Sequence, residues 1–173
     1  GQLYYYFSSN HLLSPSQHGF RPRHSTETAL TVVADRILSA TDEGKVTLLC
    51  LIDLSKCFDT IDHKILLRKL ELYGVDITWF QAYLAGHTQS VTLRGCHGVI
   101  QTSKALENTM GVFQGSALGP LLFSVFANDL SLYAEGADLI QYADDTQVII
   151  SGDKSDISAV IGRMEAVLAR IND

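Results

Sequence analysis

Residues 141–147, with the sequence QYADDTQ, decide how the rest of the chain is interpreted. Apolar runs flank this polar stretch on both sides, at 137–140 (ADLI) and at 148–150 (VII). Two short apolar runs around a short polar stretch are typical of a β-hairpin. The tip of the predicted hairpin carries two adjacent carboxylates, Asp144 and Asp145.

Adjacent carboxylates in a tight turn repel each other unless a cation joins them. A divalent metal ion is the obvious cation. The alternative is ordinary turn chemistry, because Asp favours turns by hydrogen-bonding to the local backbone. The pair by itself leaves both interpretations open.

The composition describes a folded chain of one domain or part of one. It has 173 residues, of which 46% are hydrophobic and 18% charged, as in globular proteins with a substantial core. No apolar run reaches the roughly 18 residues of a membrane span, so no membrane partner is expected. The first residues show neither Met nor a signal peptide, and we expect the chain to be cut from a longer protein.

Cysteine usage and charge limit the possible functions. Cys50, Cys57 and Cys96 lack the paired spacing of a zinc site or a disulfide framework, which favours a reducing compartment. The net charge is −6, from 19 acidic and 13 basic residues. This balance disfavours a nucleic-acid binder, unless basic segments lie elsewhere or metal ions neutralise clustered carboxylates.

The pattern predicts an α+β fold, with an antiparallel sheet packed on helices in two layers. A helix is expected at 3–13, and a second begins at a cap formed by Ser25 or Thr26 and ends before Gly44. The predicted core stripe of this second helix is Leu30, Val33, Ala34, Ile37 and Leu38.

Further elements follow along the chain. The apolar run 46–52 (VTLLCLI) predicts a strand buried on both faces. The remaining elements are predicted as helices at 63–73, 77–84, 121–133 and 155–171, a hairpin over 90–102 and a flexible loop at 111–120.

A third carboxylate, Asp53, directly follows the first predicted strand. If this strand and the hairpin are neighbours in one antiparallel sheet, Asp53, Asp144 and Asp145 converge at one edge. Carboxylate oxygens are the ligands that Mg²⁺ prefers, and two such ions can support in-line phosphoryl transfer. The alternative for Asp53 is a carboxylate that simply ends a strand.

Four segments resemble reverse transcriptases of non-LTR (LINE-type) retrotransposons. Residues 51–63 (LIDLSKCFDTIDH) resemble motif A, residues 111–123 (GVFQGSALGPLLF) motif B, and residues 142–145 (YADD) motif C. Residues 17–26 (QHGFRPRHST) resemble the fingers segment that precedes motif A. The wording is closest to the CR1/jockey-like branch, and the four motifs cover nearly the whole chain in the right order.

The resemblance implies an RNA-directed DNA polymerase that transfers a nucleotide from a dNTP to a primer 3′-OH, using two Mg²⁺ ions with Mn²⁺ as a substitute. It implies a right-handed polymerase palm truncated at both ends, with a fingers-side segment at about 1–44 and a palm-containing core at about 45–173. The implied partners are an RNA template, a DNA primer and dNTPs. The implied place of action is nuclear DNA, inside the cell.

The resemblance also assigns the metal site. Asp53 and Asp144 would hold the two ions, with Asp145 beside them as a less direct carboxylate. The main-chain carbonyl of Leu54 would complete the coordination.

Nucleotide contacts are implied for both motif A and motif B. The main-chain N–H groups of Lys56 and Cys57 would cradle the triphosphate, as backbone nests do for anions. The ring of Phe58 would exclude a 2′-OH by a clash, although a core aromatic is the alternative. Gln114 and Gly115 would meet the nucleotide and the template.

The resemblance places Tyr142 and Ala143 beside the primer end. Arg21 and Arg23 are candidates for contact with the template or a phosphate backbone, and a solvated basic loop is the alternative.

Three positions depart from the family pattern: Phe113 replaces Pro, Cys57 replaces Ala and Arg23 replaces Gly. Phe113 exchanges a rigid φ for a flexible one in the loop that orders Gln114. Arg23 matters only if its loop needs a positive φ at that position.

Other proteins fit parts of the pattern. A catalytically inactive transposon-derived remnant is one alternative, and a group II intron maturase-like reverse transcriptase or a telomerase is another. A doubly wound signalling domain with an acidic Mg²⁺ pocket is disfavoured, because its acidic pair comes early in the chain. We also expect the isolated chain to bind primer–template poorly.

Overall fold

The computed structural model describes residues 1–95 and 98–172. The chain divides into two compact units, Gly1–Lys56 together with Pro120–Asp173, and Cys57–Gly119. In the described part of the chain, no helix is long and apolar enough to cross a membrane.

The elements follow in chain order. The first unit begins with helices α1 (Gln2–Ser9) and α2 (Thr26–Asp42) and strand β1 (Lys45–Ile52). The second unit contains α3 (His63–Leu72), α4 (Thr78–Leu84), β2 (Thr88–Gln89), β3 (Thr92–Arg94), β4 (Ile100–Thr102) and β5 (Leu106–Glu107). The chain continues with α5 (Gly119–Phe126), α6 (Leu130–Tyr133), β6 (Asp138–Tyr142), β7 (Asp145–Asp153) and α7 (Ile157–Asn172).

The first unit is built on a three-stranded antiparallel sheet in the order β1-β7-β6. Strands β6 and β7 form the predicted hairpin, which closes at the pair Tyr142–Asp145. Strand β1 runs beside β7 up to the pair Ile52–Thr146. The condition for bringing the three acidic positions to one edge is therefore met, since the first strand and the hairpin are direct neighbours.

Helices cover this sheet on both faces, so the expectation of two layers was wrong. Val148 and Ile150 of β7 pack with Val160, Met164 and Val167 of α7 on one face. Ile140 and Ile149 pack with Ala29 and Val33 of α2 on the other face. Successive strand residues point to opposite faces, and the unbroken apolar run 148–150 serves both layers.

Strand β1 is not buried on both faces, contrary to the prediction. Leu51 is 70% exposed and Leu49 is 38% exposed. β1 lies at an edge of the sheet, and its even-numbered residues, such as Leu48 and Cys50, pack on the α7 cluster. An apolar run alone does not distinguish an edge strand from a central one.

The predicted stripe of α2 was correct in part. Val33 and Ile37 pack against the sheet as predicted, together with Ala29. Leu30 is 58% exposed and Leu38 is 63% exposed, and Ala34 is also exposed. The helix start was predicted correctly: the Ser25 side chain accepts from the Thr28 N–H, and the Thr28 hydroxyl accepts from the Ser25 N–H, in a capping box.

Two further predicted helices differ at their ends. The helix expected at 3–13 ends at Ser9. The helix expected at 121–133 is interrupted, because the Asn128 side chain accepts from Ser14 N at 2.6 Å and donates to Leu12 O at 2.7 Å. Asn128 thus ties the break to the N-terminal segment.

The second unit contains two helices and two short ladders. Helix α3 is capped by Asp62, whose side chain accepts from the N–H groups of Lys64 and Ile65. Strands β3 and β4 form the predicted hairpin, and β2 pairs with β5 below it in a ladder that was not predicted. Cys96, one of the three cysteines predicted to form no disulfide framework, lies outside the described residues, and neither Cys50 nor Cys57 is disulfide-bonded within the described part of the chain.

Candidate catalytic site

The hairpin tip is a two-residue loop with a constrained backbone. Tyr142 pairs with Asp145, so Ala143 and Asp144 form the loop between them. Ala143 has φ +55°, and a positive φ at the first loop residue is typical of type II′ turns, which normally place Gly there. Residues with a Cβ lose about 1–2 kcal/mol in this conformation. The turn is therefore strained next to Asp144.

The acidic positions lie at the same end of the sheet, where β1 ends and the β6–β7 hairpin turns. Asp53 directly follows Ile52, which pairs with Thr146. Asp145 precedes Thr146, so both carboxylates lie just beyond this last pair, at the same end of the sheet. Asp53 and Asp145 are exposed, and Asp144 is half-buried. The backbone thus brings together residues that lie far apart in the sequence.

The donor chemistry at this edge fits a hard divalent cation, because carboxylate oxygens are the preferred ligands of Mg²⁺. Within residues 1–95 and 98–172, however, no group of three His, Cys, Asp or Glu side chains is arranged to hold a metal ion. The shared edge is present, but the described side chains do not form a ready-made three-carboxylate cluster.

Residues 16–18, in the loop that follows α1, form hydrogen bonds with the acidic hairpin, a feature that the sequence analysis missed. His18 N donates to Gln141 O at 2.7 Å, and Gln141 N donates to Ser16 O at 2.8 Å. Between them, the Gln17 side chain accepts from Ala143 N at 3.0 Å and donates to Ala143 O at 3.0 Å. Its position in the QHGF segment was the only available signal, and it did not indicate which residue the side chain binds.

His18, in the same segment, is buried. Its ring Nδ1 is 3.2 Å from the hydroxyl of Thr28 on α2. Burial lowers the pKa of His18, and the charges of His24 and Arg21 lower it further. The lowered pKa favours the uncharged form of the imidazole ring.

The two arginines of the basic loop differ in their surroundings. Arg21 Nη1 donates to the carbonyls of Ser14 and Gln17, at 2.7 and 3.2 Å. This side chain therefore stabilises the segment that contacts the acidic turn. Arg23 is exposed and has φ +64°. The loop does adopt a positive φ where the family pattern has Gly, which meets the condition under which Arg23 matters.

The motif A turn continues from Asp53 to Phe58. Lys56, the last residue of the first unit, is exposed and has φ +54°. A left-handed residue is one half of the backbone pattern that forms an anion-binding nest. Cys57 and Phe58 begin the second unit and are both half-buried.

In the second unit, the residues that follow Phe58 carry the base of the motif B loop. Phe58 O and Ile61 O accept from Val112 N and Gly111 N, each at 2.8 Å. The His63 ring Nε2 lies 2.7 Å from Gly111 O. These hydrogen bonds attach the start of the loop to the motif A segment, through two main-chain carbonyls and the His63 ring.

The tip of the motif B loop carries the two predicted nucleotide contacts. Gln114 and Gly115 are exposed, and Gln114 Nε2 donates to Asp59 Oδ1 at 3.0 Å. Phe113 packs its ring on His87 and Tyr83, with centroids 4.2 and 5.4 Å apart. These contacts restrain the loop at the position where the family pattern has the stiffer Pro.

The model of the reverse transcriptase (RNA-dependent DNA polymerase) family matches residues 2–173. The chain is 34% identical over 142 residues to the RNA-directed DNA polymerase from mobile element jockey of Drosophila funebris, covering 77% of this chain and 15% of that protein. It is 33% identical over 153 residues to the probable RNA-directed DNA polymerase from transposon BS of Drosophila melanogaster, covering 81% and 16%. The chain therefore spans about one sixth of the length of these curated relatives.

Among solved structures, the fold is similar to that of apo telomerase from Candida tropicalis, with a TM-score of 0.53 and 12% identity over 98% of this chain and 33% of that one. This likeness concerns the fold alone, and it agrees with the predicted mixture of helices and antiparallel strands. The family match and the mobile-element relatives confirm the predicted resemblance to non-LTR, jockey-like proteins. The chain belongs to the reverse transcriptase family.

Proposed function

We propose that this chain is the catalytic core of an RNA-directed DNA polymerase, which joins a dNTP to the 3′-OH of a DNA primer paired with an RNA template. The observation that carries the proposal is the strand register. It brings Asp53 to the sheet edge that also bears Asp144 and Asp145. The family match and the names of the relatives support the same reaction.

The carboxylates of Asp53 and Asp144 would hold two Mg²⁺ ions, or Mn²⁺ in their place, with Asp145 beside them and the Leu54 carbonyl as a further oxygen donor. Ions held in this way activate the attacking oxygen and stabilise the leaving oxygen in phosphoryl transfer. The exposure of Asp53 and Asp145 leaves their oxygens open to ligands. The negative charge gathered at this edge favours cation binding.

The residues of the motif A turn and the motif B loop would bind the incoming nucleotide. Main-chain N–H groups of Lys56 and Cys57 suit a triphosphate, and the positive φ of Lys56 supports this role. Phe58 would reject a 2′-OH by steric exclusion. Gln114 and Gly115 are exposed, and they would contact a nucleotide or template base.

Tyr142 and Ala143 would border the primer end, and Arg21 and Arg23 would approach the template or a phosphate backbone. In this proposal, residues 1–44 belong to the fingers side and residues 45–173 to the palm. Target-primed synthesis would take place on nuclear DNA. Because the chain is acidic overall, tight binding of primer–template requires basic surface from other parts of the polymerase.

The test is primer extension on poly(rA)/oligo(dT) with Mg²⁺, using a complete jockey-type polymerase that carries residues 1–173. Asp144→Asn should lower the rate at least about a thousand-fold, since losing several kcal/mol of transition-state stabilisation has an effect of this size. Asp35→Asn, an exposed carboxylate on α2, is the matched control and should extend normally.

A folded chimaera that extends no primer would favour the inactive-remnant alternative. Extension that survives Asp144→Asn would remove the proposed role of this carboxylate. In a gel shift, the 173-residue chain alone should bind primer–template weakly and lose binding as salt rises.

A further inference from the structure

We propose that Gln17 is a positioning residue that sets the direction of the Asp144 carboxylate by clamping the loop residue before it. The inference rests on the proposed polymerase function. It assigns a role to a side chain that lies 126 positions away from its partner along the chain.

Both the oxygen and the nitrogen of the Gln17 side-chain amide form hydrogen bonds with the turn. Oε1 accepts from Ala143 N at 3.0 Å and from Gly19 N at 2.7 Å, while Nε2 donates to Ala143 O at 3.0 Å. The side chain therefore satisfies both main-chain polar groups of Ala143. Gln17 is only 3% exposed, so water does not compete freely for these bonds.

The backbone conformation of Ala143 is strained and needs contacts from other residues to stabilise it. Its φ of +55° is one that residues with a Cβ rarely adopt. Backbone strain of this kind persists where surrounding contacts over-determine the conformation. Because Asp144 is the next residue, the backbone of Ala143 directs where its carboxylate points.

Gly19 lets the main chain approach the turn closely. An added Cβ on Gly19 would lie 2.2 Å from Ala143 N and 2.8 Å from Ala143 Cα. Only a glycine permits the main chain to approach the turn this closely. Gly19 and Gln17 therefore act as one device, in which the glycine allows the contact and the amide makes the bonds.

The clamp is itself anchored on both sides. The main-chain bonds from His18 N to Gln141 O and from Gln141 N to Ser16 O flank it, and Arg21 donates to Gln17 O at 3.2 Å. A substitution at Gln17 should thus change the turn while the segment stays in place. This separation makes the inference testable.

The experiment uses the complete polymerase that carries residues 1–173, with Gln17→Met and Gln17→Glu. Met keeps the size of the side chain and loses every bond to Ala143. Glu keeps acceptors for the two N–H groups but sets an oxygen against Ala143 O. We expect kcat to fall about 10- to 100-fold in both variants, as small misplacements of reacting groups do, while KM for dNTP changes less than about 3-fold.

Gly19→Ala is the steric counterpart and should lower kcat to a similar extent. Gly162→Ala in α7 is its matched control, because nothing lies within 4 Å of a Cβ there, and it should keep full activity. Val167→Ala, in the α7 core, is the control for general destabilisation and should keep kcat at temperatures where the protein stays folded.

Hydrogen–deuterium exchange of the peptide that contains Ala143 provides a readout independent of activity. The wild type should protect the Ala143 amide, and Gln17→Met should expose it. Unchanged exchange in that variant, or an unchanged kcat in a folded Gln17→Met polymerase, would overturn the inference. An equal loss of kcat in Val167→Ala would also overturn it, since the role would then be general stability.

A wild type that extends no primer refutes the proposed function, and the exchange data then still decide whether Gln17 holds the turn. Loss of protection together with a kcat-specific defect supports both levels of the proposal.

Discussion

In two loops of this protein, the acidic turn and the motif B loop, a glycine allows two main-chain segments to pack closely. The hydrogen bonds that hold the two loops are of different kinds. At the acidic turn, Gly19 lies against Ala143, and the buried side chain of Gln17 makes the bonds. At the motif B loop, Gly111 lies against Asp59, and main-chain groups make most of the bonds. A side chain therefore stabilises the contact at the acidic turn, and main-chain hydrogen bonds stabilise most of the contact at the motif B loop.

The difference shows how much freedom each loop has. Gln141 and Ala143 are buried around the turn, at 1% and 9% exposure, whereas Gln114 and Gly115 at the tip of the motif B loop are exposed. Asp144, the carboxylate proposed to hold a metal ion, sits on the more fully supported loop. Residues proposed to meet changing nucleotides sit on a loop supported at its base.

The largest expected effect tests the base of the motif B loop. Gly111 has φ +83°, and an added Cβ would lie 2.7 Å from Asp59 O. Gly111→Ala should therefore lower the free energy of unfolding by about 3 kcal/mol, through backbone strain and overpacking together. Urea unfolding of the 173-residue chain measures the change.

Gly115→Ala isolates the backbone term, because Gly115 also has a positive φ but has open space around it. It should cost only about 1 kcal/mol. If both alanines cost the same, close packing of Gly111 on Asp59 does not support the loop.

A smaller effect should follow from removing the ring that restrains the loop. Phe113→Ala loses the contacts with Tyr83 and His87 and should reduce the free energy of unfolding by about 1–2 kcal/mol. Leu93→Ala, on an exposed ladder strand, should stay within about 0.5 kcal/mol of wild type. Equal values for the two variants would show that the Phe113 ring does not hold the loop.

On the side of the acidic turn, Arg23→Gly should be mildly stabilising. Arg23 has φ +64°, so glycine removes strain of about 1 kcal/mol, partly offset by its greater freedom in the unfolded chain. Arg23→Ala removes the same charge and keeps the Cβ. A rise in Tm confined to the glycine variant supports backbone strain, and an equal rise in both would assign the effect to charge.

The smallest expected effect concerns the cap of α3, in the segment that carries the motif B loop. Hydrogen bonds from the N–H groups of Ile65 and Lys64 lower the pKa of Asp62 from its ordinary value of 3.8. Because the folded pKa is depressed, the contribution of Asp62 to stability is present above pH 3.8 and is lost as pH falls through the folded pKa.

Asp62→Asn keeps a cap acceptor and should remove this part of the pH dependence, measured as the free energy of unfolding between pH 6 and pH 2.5. Asp62→Ala should lose the cap at every pH. A wild type and an Asp62→Asn variant with parallel pH profiles would contradict the assignment.

Local signals predicted much of this molecule. The apolar runs that flank residues 141–147 predicted the hairpin, and a cap at Ser25 or Thr26 predicted the start of α2. The motifs predicted the family to which the chain belongs. The assigned roles of Asp53, Asp144, Asp145 and the nucleotide-binding residues stay predictions until the polymerase is assayed.

The sequence by itself determined where strands, turns and caps form, because periodicity, turn propensity and capping act over a few residues. Only the tertiary structure decided that Ala29 rather than Leu30 faces the sheet, that β1 lies at an edge, and that Gln17 binds Ala143. A helix offers adjacent stripes of similar hydrophobicity, so the packing partner selects between them. A hydrogen bond between residues 126 positions apart leaves no local pattern, and it arises only when the fold brings the two segments together.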